Sequence, residues 1–429
     1  MCYVAARWVF GILSVGSSSP LRIMPMPRWT VLTIWAGLSL WPAIRAEDVT
    51  PLRQRPPAPP GVQRICPLVV SPENVRPHVE YLASEELAGR RGDGGFQAGE
   101  YVALKLKEAG AEPLFDGDYF QPIPGAALPN GEIPIIGRNV GAVIRGSDPR
   151  LQHEYILIGA HYDHLGRRGG VIHPGADDNA SGVAMLLEAG RYFSQRTQRS
   201  RRSIALVAFD LEEELLYGSR WYAAHPAVPL SQTRVMIAAD MISRSLGNLP
   251  LPAVFVLGSE HAPELREHLT HVGVPQGLQV ARLGVDFVGT RSDYGPFRDR
   301  GVPFLFFSTG EHPDYHTQQD TADRADYEKL ARVTSLILRL VERLSNTPHP
   351  ATWAADSPPD MEEPQVMLRI TQLLLQEEAA GRMKLSPTTR FIANQTLAKV
   401  GYIVQRGTIS RDERAWLRRS AQYLLISAF

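Results

Sequence analysis

The sequence predicts an α/β fold: a mixed, largely parallel central sheet flanked by helices, with a C-terminal helical appendage. Three observations lead there. Short apolar runs rich in β-branched and aromatic residues recur at Asn139–Ile144, Tyr155–Ile158, Ile204–Phe209, Val235–Ala239, Val254–Leu257 and Pro303–Phe307. Runs that are apolar throughout suit strands covered on both faces. Helical patterns alternate with them, at Ser181–Phe193 and Tyr327–Leu344, and strands alternating with helices argue for a layered α/β domain. After Asn346 the composition shifts to Pro, Ala and acidic residues, and three helical patterns follow at 364–380, 387–404 and 411–427.

Each element has its local reason. A helix over Asn74–Ser84 leads into the glycine-rich loop Gly89–Gly95, and a second, Gln97–Ala109, is stopped by Gly110. The tripeptide Arg91-Gly92-Asp93 in that loop is too short to carry a function. The last helix opens on Ser410 with Glu413 three residues on, a capping box that satisfies two free backbone N–H groups. The expected organisation is therefore an N-terminal extension and leader (1–46), a Pro-rich linker (47–73), a main α/β domain (74–346), a second linker (347–363) and the helical appendage (364–429).

Composition narrows the function. The chain has 429 residues, 44% hydrophobic and 21% charged, the balance of a soluble globular enzyme. Lys plus Arg equals Asp plus Glu at 45 each, so no bulk charge points to nucleic acid. The two cysteines, Cys2 and Cys66, exclude a disulfide framework and thiolate metal sites, leaving His, Asp and Glu as ligands. From Met24, one basic residue, an apolar run over Trp29–Leu40 and a small residue at Ala46 make the layout of a secretory signal peptide. That run is shorter than the ~20 residues needed to cross a bilayer. Export is expected, with membrane tethering only through an uncleaved N-terminus.

The chemistry lies at strand ends. In open α/β sheets, ligands bind beyond the carboxyl ends of the strands. Tyr155–Ile158 runs into His161, Asp163 and His164; Ile204–Phe209 into Asp210, Glu212, Glu213 and Glu214; Val235–Ala239 into Asp240; and Pro303–Phe307 into the loop of His312 and His316. Asp177 and Asp178 lie in the loop before the Ser181 helix. Taken singly, a histidine after a strand is a loop residue, a glutamate run a solvated face, and paired aspartates a helix cap. The Asp177-x-Asn179-x-Ser181 spacing fits a calcium loop, but the preceding Gly169–Gly175 segment cannot form the helix such a loop needs.

Together these blocks resemble the aminopeptidase Y and aminopeptidase S type of di-zinc exopeptidases. The resemblance rests on GAHYDHLG (159–166), PGADDNASGVA (174–184), FDLEEELLYGS (209–219), AADM (238–241) and DYHTQQDT (314–321), in the family's order, and covers about residues 75–345. It implies that His161 and Asp240 hold one zinc, Glu213 and His316 the other, and that Asp177 bridges them. It further implies that Asp163 orients His161 and that Glu212 is the general base. Two Zn2+ per chain are the implied cofactors, and peptides with a free N-terminus the implied substrates. Asp178, Asn179, Ser292 and Asp293 are expected in support, with His164, His173 and His312 nearby as loop residues. Two positions depart from the family pattern: Leu215 stands where glycine is usual, and Tyr294 where histidine is. Both put pocket shape in question rather than the ligands. The alternatives are a carboxypeptidase or dipeptidase using Arg167, Arg168 and Arg291, a single-zinc glutaminyl cyclase, and a non-catalytic binding protein. Retention of Glu212 and of the ligand positions argues against the last.

Overall fold

The computed structural model describes residues 64–429; the expected leader and most of the Pro-rich segment lie outside the described residues. The strands that read as apolar throughout form the centre of the sheet. β4 (Tyr155–His161) and β7 (Ser203–Phe209) are buried at every residue. They pair in parallel with His161 opposite Phe209. On the other side of β4 runs β8 (Thr233–Ala239), parallel and with Gly159 opposite Ala238. Next comes β11 (Phe304–Ser308), parallel, with Phe307 opposite Ala239. Four parallel strands, in the order β7-β4-β8-β11, thus end at one rim.

Antiparallel strands flank this centre. On the β7 side lie β3 (Ile135–Ile144), then β1 (Glu112–Pro113) and β2 (Phe120–Pro124), both paired with β3. On the β11 side, β9 (Ala253–Leu257) is antiparallel to β11, and β10 (Gln279–Leu283) is parallel to β9. A separate two-stranded ribbon joins β5 (Arg167–Arg168) to β6 (Val171–Ile172).

Alternation along the strands divides the core in two, because successive side chains leave a strand on opposite faces. Ile156, Ile158, Ile204 and Leu206 face one cluster, shared with α1 (Pro72–Leu82), α2 (Asp93–Glu108), α3 (Gly182–Ser194) and α7 (Tyr327–Asn346). Leu157, Ala205, Val207 and Phe209 face the other, beside α4 (Tyr217–Ala224) and α6 (Gly295–Arg298); α5 (Pro263–Val272) packs on the first face. Each fully buried aliphatic side chain contributes about 1.5–3 kcal/mol by leaving water.

The last three helices, α8 (Glu362–Ala379), α9 (Pro387–Arg406) and α10 (Arg411–Ala428), stand where helical periodicity places them. The Ser410–Glu413 capping box is formed. Their apolar faces divide: Met367, Ile370, Val400, Leu417 and Ala421 belong to the same cluster as Phe255 and Phe306 of the sheet, while Leu374, Leu385, Ala393 and Leu424 pack on one another. Arg414 reinforces the seam, reaching Asp286 at 2.8 Å and Glu363 at 2.7 Å. No helix among the described residues is long and apolar enough to cross a membrane.

Candidate metal centre

Four neighbouring strand ends supply the site. His161 is the last residue of β4 and almost wholly buried. Its Nε2 lies 3.3 Å from Asp178 Oδ1 and 3.4 Å from Asp240 Oδ1. Asp240 follows β8 directly, its N–H donating to the Phe307 carbonyl at 3.0 Å. His316, in the loop after β11, points its Nε2 at Asp178 Oδ2 (3.1 Å) and Glu213 Oε1 (3.3 Å). Two donor groups therefore meet at one carboxylate, each facing a different oxygen of Asp178.

The separations fit a metal ion. Zinc–donor bonds of about 2.0–2.2 Å place tetrahedral donors roughly 3.3–3.6 Å apart. The observed 3.1–3.4 Å lies close to that edge length. Charge-assisted hydrogen bonds between the same groups would draw them to about 2.7–2.9 Å. An all-carboxylate and imidazole set suits a divalent ion of zinc's kind.

The structure corrects the expected bridge. Asp177 does not join either donor group. Its Oδ1 accepts from the Ser243 N–H and hydroxyl, both at 2.7 Å, and its Oδ2 faces His312 Nε2 at 3.4 Å. Adjacent residues of a tight turn send their side chains apart, so only one of the two aspartates can reach the centre, and it is Asp178. The turn is held by Asp320, which accepts the N–H groups of Asp177 and Asp178, each at 3.0 Å. Asn179 ties it to β8 through the Ala239 carbonyl at 3.0 Å. Gly182 is required where α3 meets this turn: a Cβ there would lie 2.4 Å from Asn179 Oδ1 and 2.5 Å from the Ala239 carbonyl oxygen.

Asp163 performs two tasks. Its Oδ1 stands 3.6 Å from His161 Nδ1, whose nearer partner is the Asp163 carbonyl at 3.3 Å. Its two oxygens also accept the N–H groups of Glu212 (3.0 Å) and Glu213 (3.3 Å). The same carboxylate thus orients an imidazole and anchors the glutamate turn.

Arg90, unrecognised in the sequence beyond its glycine-rich setting, is the brace of the site. Its guanidinium is fully buried and donates to five carbonyls: Tyr162, Leu82, Pro174, Gly175 and Asp178. It joins the end of β4 to the Asp178 turn. Burial pulls its pKa down to about 10, with Asp178 and Asp320 opposing.

Electrostatics separate the two glutamates. Burial raises the Glu212 carboxyl well above the usual range; His161 opposes this, and Asp293 and Asp240 add to it. Burial and Asp178 also push Glu213 upward, but the imidazoles of His164 and His316 outweigh them and bring it down to about 2. Burial and the Asp178, Glu213 and Asp240 carboxylates keep the Tyr315 phenol well above 10, a neutral donor whose ring stacks on His316. Burial lifts Asp293 to about 7; His161 opposes this, and Asp240 and Asp163 add to it.

The two departures from the family pattern have clear places. Leu215 adopts φ 64° and is 76% exposed, so the chain keeps the left-handed turn that glycine usually makes. Tyr294 is buried away from the donors, stacks on Phe304 and donates to the Gly289 carbonyl.

Fold and site together define a metallopeptidase, a metal-dependent hydrolase of peptide bonds. Residues 139–341 match the model of peptidase family M28. It is 29% identical over 256 residues to the uncharacterized protein YfbL of Escherichia coli, covering 51% of this chain and 75% of YfbL. It is 26% identical over 199 residues to aminopeptidase YwaD of Bacillus subtilis, covering 44% of this chain but only 40% of that relative. In structure it resembles Porphyromonas gingivalis glutaminyl cyclase, with a TM-score of 0.51, 20% identity, and coverage of 65% of this chain and 99% of the cyclase. That last likeness concerns the fold alone.

Proposed function

We propose that the chain is a di-zinc aminopeptidase that releases the first residue of peptides. The observation that carries this reading is Asp178, whose two oxygens each face a separate donor group at 3.3 Å and 3.1 Å. A single-ion cyclase has no need of a carboxylate so divided. His161, Asp178 and Asp240 would hold one ion, and Asp178, Glu213 and His316 the other. When bound, such ions polarise the scissile carbonyl and lower the pKa of an attacking water.

The protein's own groups account for the rest. Glu212 takes the proton of the attacking water and passes it to the leaving amine; a carboxyl raised by burial suits both transfers near neutral pH. Asp163 holds Glu212 and His161 in register. Tyr315 donates toward the developing oxyanion. A free α-amine is favoured over a terminal carboxylate because the neighbouring groups are carboxyls, Glu212, Asp240 and Asp293, whose oxygens accept hydrogen bonds from an ammonium. Of the arginines that a carboxypeptidase would use, Arg291 is offset by Glu311 and Arg167 donates to the Gly170 carbonyl. Export follows from the leader-like segment 24–46.

The test is hydrolysis of aminoacyl p-nitroanilides by the zinc-loaded chain, with and without chelator. Chelator-sensitive release of the N-terminal residue is expected. Turnover confined to N-acylated substrates or to glutamine cyclisation would refute the reading.

A further inference from the structure

His164 lies just past the end of β4 and is almost wholly sealed from solvent, yet neither ring nitrogen makes a hydrogen bond. A polar ring buried without an aligned hydrogen bond carries a desolvation penalty that a nearby carboxylate offsets only in part. Its Nδ1 is 2.9 Å from Glu213 Oε1 and 3.7 Å from Asp178 Oδ2. At 2.9 Å the Glu213 oxygen is near enough for a hydrogen bond, but it stands off the line of the ring N–H, so the two atoms are close without being bonded. Glu213 Oε1 is itself unpartnered although a second imidazole, His316, is 3.3 Å away.

Donor atoms that crowd one point without aligning on each other are arranged around that point. The His164 Nδ1, Asp178 and Glu213 oxygens form one such group, and His316 Nε2 faces the same two oxygens. We infer that His164 Nδ1 is a fourth protein donor to the metal position made by Asp178, Glu213 and His316. This rests on the reading that Asp178 joins two ions. The two positions then differ in kind: three protein donors at His161 leave a place open, and four at His316 close the tetrahedron, as in structural zinc sites. The closed position fills first and empties last.

The experiment compares zinc affinity and imidazole count, by chelator competition and X-ray absorption, in the full chain and in His164→Phe, which keeps the ring's bulk without its nitrogens. Wild type should bind two zinc ions with three imidazoles between them. His164→Phe should weaken the tighter site by about 10-fold or more and lower the count to two. Unchanged affinity and count in that variant would overturn the inference. If His164→Phe does not fold, His164→Cys and His164→Ser, alike in size, make the same contrast. The thiolate should keep the tight site and the hydroxyl lose it, and equal affinities would again overturn the proposal. Fewer than two zinc ions in the wild type would instead defeat the two-ion reading beneath it.

Discussion

Replacing Arg90 with lysine asks how far the metal-binding loops depend on one buried cation. Arg90 donates to five carbonyls, four of which lie on the His161 and Asp178 loops. Lysine keeps the charge but has three donors, so at least two of those carbonyls lose their partner. A buried polar group left unsatisfied costs about 1–3 kcal/mol, which places Arg90→Lys roughly 2–6 kcal/mol below wild type. A loss of that size is a large share of the stability of a typical domain. Urea unfolding of the metal-free chain, followed by circular dichroism, measures it directly. Because the lost bonds hold the metal loops, added zinc should recover part of the deficit through its preferential binding to the folded state. A midpoint within experimental error of wild type, with or without zinc, would show that the guanidinium does not brace these loops.

Glu212→Gln should retain its metal content while turnover falls about 10²–10⁴-fold; a near-normal rate in that variant rules out the assigned base. Asp178→Asn should lose bound zinc, whereas Asp177→Asn should keep it and lose stability instead, because Asp177 is held by Ser243 and His312. The reverse pattern in metal analysis would restore Asp177 as the bridge. His78 gives a pH effect away from the centre: burial, with Lys105 and Arg191 adding to it, depresses its folded pKa to about 4. The unfolded chain therefore takes up this proton first. The His78 contribution is intact above about pH 6.5, is lost between roughly 6.5 and 4, and amounts to ~3 kcal/mol. Stability curves of wild type and His78→Gln should converge by that amount over the window, and parallel curves would contradict the assignment.

Much of this architecture is legible in the chain because the relevant strands are buried on both faces. Residues 155–158, 204–209 and 235–239 read as strands without an alternation to interpret, and their ends then locate His161, Glu212, Glu213 and Asp240. What escapes is what tertiary contact decides. The strand Phe120–Pro124 is short and carries two prolines at a sheet edge, and Gln279–Leu283 mixes polar with apolar residues at the other edge. Neither has a pattern distinct from a loop. The choice between Asp177 and Asp178 depends on the backbone of one turn, where residue type is identical. Arg90 looks like any surface arginine in a glycine-rich segment, and its burial follows only once the two ligand loops close over it. The C-terminal helices were visible from their periodicity, but the apolar faces of Met367, Ile370 and Leu417 do not say what they cover.

The central claim is that one carboxylate, Asp178, joins two metal positions. Crystals of the zinc-loaded chain, with diffraction recorded on both sides of the zinc absorption edge, test it most directly. Two anomalous peaks are expected, one against His161 and Asp240 and one against Glu213 and His316, with an Asp178 oxygen at each. A single peak at full zinc loading, or a pair bridged by another residue, would contradict the account.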